Sequence, residues 1–75
     1  MLNNQNKDQM ETMYLSTNVQ SKAYRGATYK QIEFLKSFPE TEIHASSSQI
    51  MKRIELSEMS EAIDFAKNGG KVVIE

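Results

Sequence analysis

Residues 45–57 read "ASSSQIMKRIELS", and whether they form one helix, the hinge between two, or a strand decides the fold. Ser46 and Gln49 stand in the S-x-x-Q spacing of a capping box: the hydroxyl accepts the N3 amide proton and the glutamine reaches back to the cap. Ile50 and Ile54 follow at i, i+4, with Met51 widening the apolar face, so a helix runs over about 46–55. Leu56-Ser57 then opens a further unit. Ser57 is the expected cap there, and Glu58 and Glu61 sit in the first turn, where the macrodipole favours anions.

Met59, Ala62, Ile63 and Ala66 recur at i, i+3, i+4, i+7, the clearest helical stripe in the chain. Asn68-Gly69-Gly70 after Lys67 is a C-cap signal, which predicts a helix over about 57–68.

Eighteen residues before Ser46 the device recurs. Thr28-x-x-Gln31 is a second capping box, followed by Ile32, Leu35 and Phe38. Pro39 disfavours the α conformation at Phe38 and has no amide proton, so this helix covers about 28–38. The expected class is mostly α, with three short helices. The expected core is Ile32, Leu35, Phe38, Ile43, Ile50, Ile54, Leu56, Met59, Ile63 and Phe65.

Outside the helices the signals are weaker. Residues 1–26 are rich in Asn, Gln, Ser and Thr, too polar to offset the entropy of ordering, and are expected to form a flexible N-terminal arm ahead of a helical domain at 27–75. Within the arm, "TMYLSTNV" (12–19) alternates Met13, Leu15 and Val19 as a strand does. The tail "KVVIE" (71–75) is also β-type. The two can pair as a small two-stranded ribbon; alternatively the tail stays unpaired and adds a strand to a partner's sheet.

Size and composition narrow the function. Seventy-five residues without cysteine give one small domain with no disulfide or thiolate metal site, so a partner chain is the expected reinforcement. "MLNNQNKDQM" lacks the apolar core of a signal peptide, and Val72-Val73-Ile74, the longest apolar run, is far too short to cross a bilayer. Both point to the cytoplasm and away from a membrane.

Enzyme signals fail in turn. "NGGKVV" is not a phosphate loop, because Phe65 stands where the first glycine belongs and Val72 replaces Ser or Thr. His44 is the only histidine, which leaves no relay for a serine nucleophile, and Ser46 serves better as a cap. Glu58, Glu61 and Asp64 share a helical face without a loop of oxygen ligands to hold a hard cation. No catalytic residue, cofactor or metal site is expected.

Charge is unevenly placed although the net value is −1. Lys22, Arg25, Lys30 and Lys36 face one acid, Glu33, within 22–36. Beyond residue 36 lie Glu40, Glu42, Glu55, Glu58, Glu61, Asp64 and Glu75 against Lys52, Arg53, Lys67 and Lys71. Tyr24 and Tyr29 interleave the basic stretch, an arrangement in which aromatics stack on single-stranded bases while cations track phosphates.

"QIMKRIELS" resembles the first half of a DNA-binding helix-turn-helix through Ile50, Lys52, Arg53, Ile54, Leu56 and Ser57. Met51 replaces its small residue, Glu55 its turn glycine, and Glu61 an apolar packing position. The would-be reading helix "SEMSEAIDFAK" carries Glu58, Glu61 and Asp64, which phosphates repel. "ATYKQIEFLKSF" followed by "KRIEL" is similar to small helix–loop–helix proteins, many encoded by phages and most without assigned activity. Thr28, Lys30, Gln31, Phe34 and Leu35 carry that likeness, and Ser47, Ser48 and Gln49 depart from it.

The resulting expectation is a non-enzymatic interaction protein, of phage or mobile-element type by resemblance, that modulates or inhibits a host or defence complex in the host cytoplasm. Its contact residues would be Glu58, Glu61, Asp64, Tyr14 and Tyr24. Five methionines suit an adaptable interface. One alternative is a nucleic-acid accessory acting through Lys22, Arg25, Lys30, Lys52 and Arg53. Another is a homo-oligomeric structural protein.

Overall fold

Both capping boxes form as the spacing predicts. In a computed structural model that describes residues 11–18 and 25–75, the Gln31 amide donates to Thr28 Oγ1 at 3.2 Å and the Thr28 amide to Gln31 Oε1 at 3.0 Å. The Gln49 amide likewise donates to Ser46 Oγ at 3.3 Å, and the Ser46 amide to Gln49 Oε1 at 3.0 Å. They launch α1 (Tyr29–Lys36) and α2 (Ser47–Arg53). With α3 (Leu56–Lys67), three helices dominate the described residues.

The third helix starts earlier than expected. Its N-cap is Glu55 rather than Ser57, and the Glu55 amide donates to Glu58 Oε1 at 3.3 Å. The cause lies just upstream: Ile54 is extended (φ −108°, ψ 124°), and its carbonyl accepts from the Ala27 amide at 2.7 Å. Gly26 and Glu55 form an antiparallel bridge beside it. That tie breaks the helix over two extended residues, Ile54 and Glu55, and the next helix begins at once. Leu56 thereby becomes the first residue of α3; expected in the core, it stays half-exposed outside the buried cluster.

At the other end of α3, Gly69 takes φ +94°. The Gly69 amide donates to the Ala66 carbonyl at 3.0 Å and the Gly70 amide to Phe65 at 2.9 Å, which is a Schellman closure. It turns the chain directly into a strand.

The ribbon forms and is larger than the sequence suggested. β1 (Thr12–Leu15) pairs in parallel with β3 (Lys71–Ile74), Met13 opposite Val72 and Leu15 opposite Ile74. A third strand, β2 (Glu42–Ile43), runs parallel on the other side of β3, giving the order β1-β3-β2. The C-terminal strand is therefore central and paired on both sides, so it offers no edge to a partner. Within the expected arm, residues 12–15 are strand; residues 1–10 and 19–24 lie outside the described residues.

The helices cover one face of the sheet. Val72 and Ile74 are fully buried with Ile32, Leu35, Ile50, Ile54, Met59 and Ala62. Phe38, Ile43, Ile63 and Phe65, expected in the core, are partly buried against that cluster, as are Met13 and Leu15. α3 packs on both β3 and α1, and α1 on α2, whereas α2 and α3 barely touch. That argues against a helix-turn-helix pair, whose two helices pack on each other. Ala62 and Ala66 are the buried stripe that lets α3 lie close. No helix among the described residues is long and apolar enough to cross a membrane.

Candidate interaction surface

Sheets made only of parallel strands are normally covered on both faces; here no helix among the described residues covers one face. Because side chains alternate along a strand, the register places Tyr14 and Glu42 on either side of Val73 on that open face. Val73 is shielded to 6% exposure, yet it stands apart from the core cluster, and Tyr14 is 68% exposed.

Charged groups frame these residues. Lys71 Nζ lies 2.7 Å from Glu42 Oε2, and His44 Nε2 lies 3.2 Å from Glu42 Oε1. The bond from Lys71, then that from His44, lowers the Glu42 pKa below the usual carboxylate range. The same contact with Glu42 raises Lys71 above the usual amine range.

The signs of these shifts set a pH dependence. Glu42, depressed in the fold, contributes stability above its unfolded pKa and loses it as pH falls through the folded one. Lys71, raised in the fold, contributes below its unfolded pKa and loses that as pH rises through the folded one. Both side chains are substantially exposed, so the effect is small. Thermal melts between about pH 5 and pH 3 should therefore fall slightly less for Glu42→Gln than for the native chain. Parallel curves would discount the pair.

A second surface runs along α3. Glu58, Glu61 and Asp64 are all exposed, three residues apart, on one ridge. None forms an ion pair among the described residues. Lys67, one turn from Asp64, sits instead with Nζ 5.8 Å from the centre of the Phe34 ring. Phe34 stands edge-on to Phe38 at 5.3 Å and is 46% exposed.

Of the three acids, only Glu58 has an evident local role, receiving the Glu55 amide at the helix start. Asp64 lies in the last turn, at the negative end of the dipole, where a carboxylate is unfavourable. Like charges at this spacing repel one another as well. Helix stability explains Glu58; it does not explain Glu61 or Asp64.

The basic residues gather differently. Lys52 and Arg53 are exposed in the last turn of α2, where cations favour the helix terminus. Arg53 Nη1 also reaches the Thr17 carbonyl at 3.5 Å. Arg25 precedes Gly26, which packs directly on the Met51 carbonyl in that same turn. Lys30 is exposed on the first turn of α1. Lys22 and Tyr24 lie outside the described residues.

The Glu42–Lys71–His44 cluster escaped sequence reasoning. Its one signal is the short alternation in "ETEIH", which two residues of strand are too brief to make decisive. Compared with known proteins, the chain matches no family model, no curated protein and no solved structure.

Proposed function

We propose that the protein is a small non-enzymatic interaction module that binds a protein partner through cationic surface, with the α3 ridge as principal contact and the open sheet face beside Tyr14 as a further one. The observation that carries this reading is the set of exposed carboxylates at Glu58, Glu61 and Asp64, unpaired with any described lysine or arginine. Exposed acids gain by meeting a basic groove and lose by approaching polyphosphate, and Asp64 gains most because it stands at the negative end of the helix. The phage-type context and the modulation of a host complex rest on the helix–loop–helix likeness alone.

A nucleic-acid reading draws on a different observation, the packing of Gly26, next in sequence to Arg25, on the end of α2 that carries Lys52 and Arg53. The two readings separate in one comparison. Tagged native protein and a triple variant, Glu58→Lys, Glu61→Lys and Asp64→Lys, are each recovered from lysate and the co-purifying material identified. Protein retained by the native chain should bind the variant at least about tenfold more weakly, since three rim charges are reversed. Recovery of nucleic acid in place of protein, weakened by Arg25→Glu with Lys52→Glu and strongly salt-dependent, would reverse the assignment.

A further inference from the structure

The outer edge of β1 carries an inference that goes beyond a heterologous partner. Three backbone hydrogen bonds fix which way its backbone faces. The Glu11 carbonyl accepts from Lys71 at 2.9 Å, the Leu15 carbonyl from Glu75 at 3.0 Å, and the Thr17 amide donates to Glu75 at 2.8 Å. In a parallel ladder alternate residues bond to one neighbour, so the odd residues face β3. The amides and carbonyls of Thr12, Tyr14 and Ser16 therefore point away from the sheet, and no other strand among the described residues lies on that side.

Edges are ordinarily blunted by charge, proline, bulges or shortness. The opposite edge, β2, is two residues long and carries Glu42. β1 has none of these protections: Thr12-Met13-Tyr14-Leu15-Ser16 contains no charge, proline or glycine. Met13 and Leu15 are only partly buried on the helix-covered side, so apolar surface remains along this rim.

We propose that β1 pairs antiparallel with β1 of a second copy of the chain across a two-fold axis centred on Tyr14, giving a continuous six-stranded sheet. This register leaves no outward group of the stretch unpaired. Tyr14 exchanges both backbone bonds with Tyr14 of the second copy, and Thr12 does so with Ser16. On the helix side Met13 meets Leu15, apolar on apolar; on the open side the two tyrosines flank the axis. No charges stand opposite one another within the five residues, which is why the stretch accepts its own copy. A shift that centres the axis on Met13 would set Glu11 against Leu15, a charge against an apolar side chain. The contact is isologous and closes on itself, and the brief, charged β2 edges end the sheet on both sides.

Because the chain has no cysteine, the register can be trapped one position at a time. Residues in a hydrogen-bonded antiparallel pair stand about 5.5 Å apart at Cα, inside the disulfide range of about 4.4–6.8 Å. Under mild oxidation the full-length Tyr14→Cys variant should form a disulfide dimer at least about tenfold faster than Lys52→Cys, whose site is remote from the edge. Thr12→Cys mixed with Ser16→Cys should yield the heterodimer in preference to either homodimer.

Sedimentation equilibrium of the native chain should show a concentration-dependent shift from 8.6 kDa toward twice that mass. Tyr14→Lys, which sets two ammonium groups opposite each other without touching the β1–β3 ladder, should abolish the shift while the far-UV spectrum stays native. A native chain that remains monomeric to about 1 mM, the weak end expected of so small a contact, overturns the proposal. So does a Tyr14→Cys rate equal to that of Lys52→Cys. The α3 triple variant should still self-associate, so failure of either proposal leaves the other standing.

Discussion

Replacing Gly26 with alanine is expected to destabilise the protein by about 3 kcal/mol, the upper part of the range for forced overpacking. A Cβ built there lies 2.7 Å from the Met51 carbonyl carbon and 3.2 Å from the Ile54 carbonyl oxygen, and closer still to the Met51 oxygen. All three are backbone atoms, so no side-chain rotation can relieve the contact. Relief requires the chain to lift from the end of α2. Lifting it would break the 2.7 Å bond from the Ala27 amide to Ile54, the tie that holds Ile54 extended and lets α3 begin at Leu56.

A 75-residue chain has a total stability of about 4–11 kcal/mol, so one methyl group would remove a large fraction. Thermal unfolding followed by circular dichroism should show a midpoint lower by about 12–24 °C. Gly69→Ala is the matched control. Its Cβ meets nothing within 4 Å, but φ is +94°, so only backbone strain of about 1 kcal/mol applies. A Gly26→Ala loss no greater than that of Gly69→Ala would show that close approach does not hold the junction.

That junction marks where sequence reasoning stops. Both capping boxes, the Met59–Ala62–Ala66 stripe and the Asn68-Gly69-Gly70 closure were legible because each is a local pattern with one mechanical reading. Residues 54 and 55 were not. Their conformation depends on Gly26, some thirty positions away, and nothing nearby in sequence announces that contact. Ser57 looked the better cap by composition, yet the tertiary tie at Ile54 places the cap at Glu55.

The sheet shows the same division. The alternation of Met13 and Leu15 and the β-rich tail suggested two strands, but their parallel direction and the insertion of β2 follow from how α2 and α3 return the chain. Of the candidate contacts, Glu58, Glu61 and Asp64 were readable as one helical face from their spacing. Tyr14 was placed correctly on a strand. The Glu42–Lys71–His44 group required the register to be known.

The second large effect tests that register at the centre of the sheet. Ile74→Ala is expected to lower stability by about 3 kcal/mol, whereas Val73→Ala should lower it by about 1 kcal/mol. The two residues are adjacent, β-branched and both nearly inaccessible, at 0% and 6% exposure, so exposure alone would predict similar losses. Their surroundings differ. Ile74 stands between Leu15 and Ile43 in the register, on the side where α3 and the helical core close over the strand, so truncation there leaves a cavity that rigid neighbours cannot fill.

Val73 lies outside that cluster, on the open face between Tyr14, which is largely exposed, and Glu42, which reaches toward Lys71. Those side chains can shift, and water can enter. Urea unfolding measures both losses on one scale, with unchanged slopes certifying that the same surface is exposed. Equal losses would mean that the second face is packed as tightly as the first, and the open sheet beside Tyr14 would cease to be a contact surface. A wide gap would leave Val73 replaceable at little cost, so that a substitution there could probe binding at the sheet without unfolding the chain.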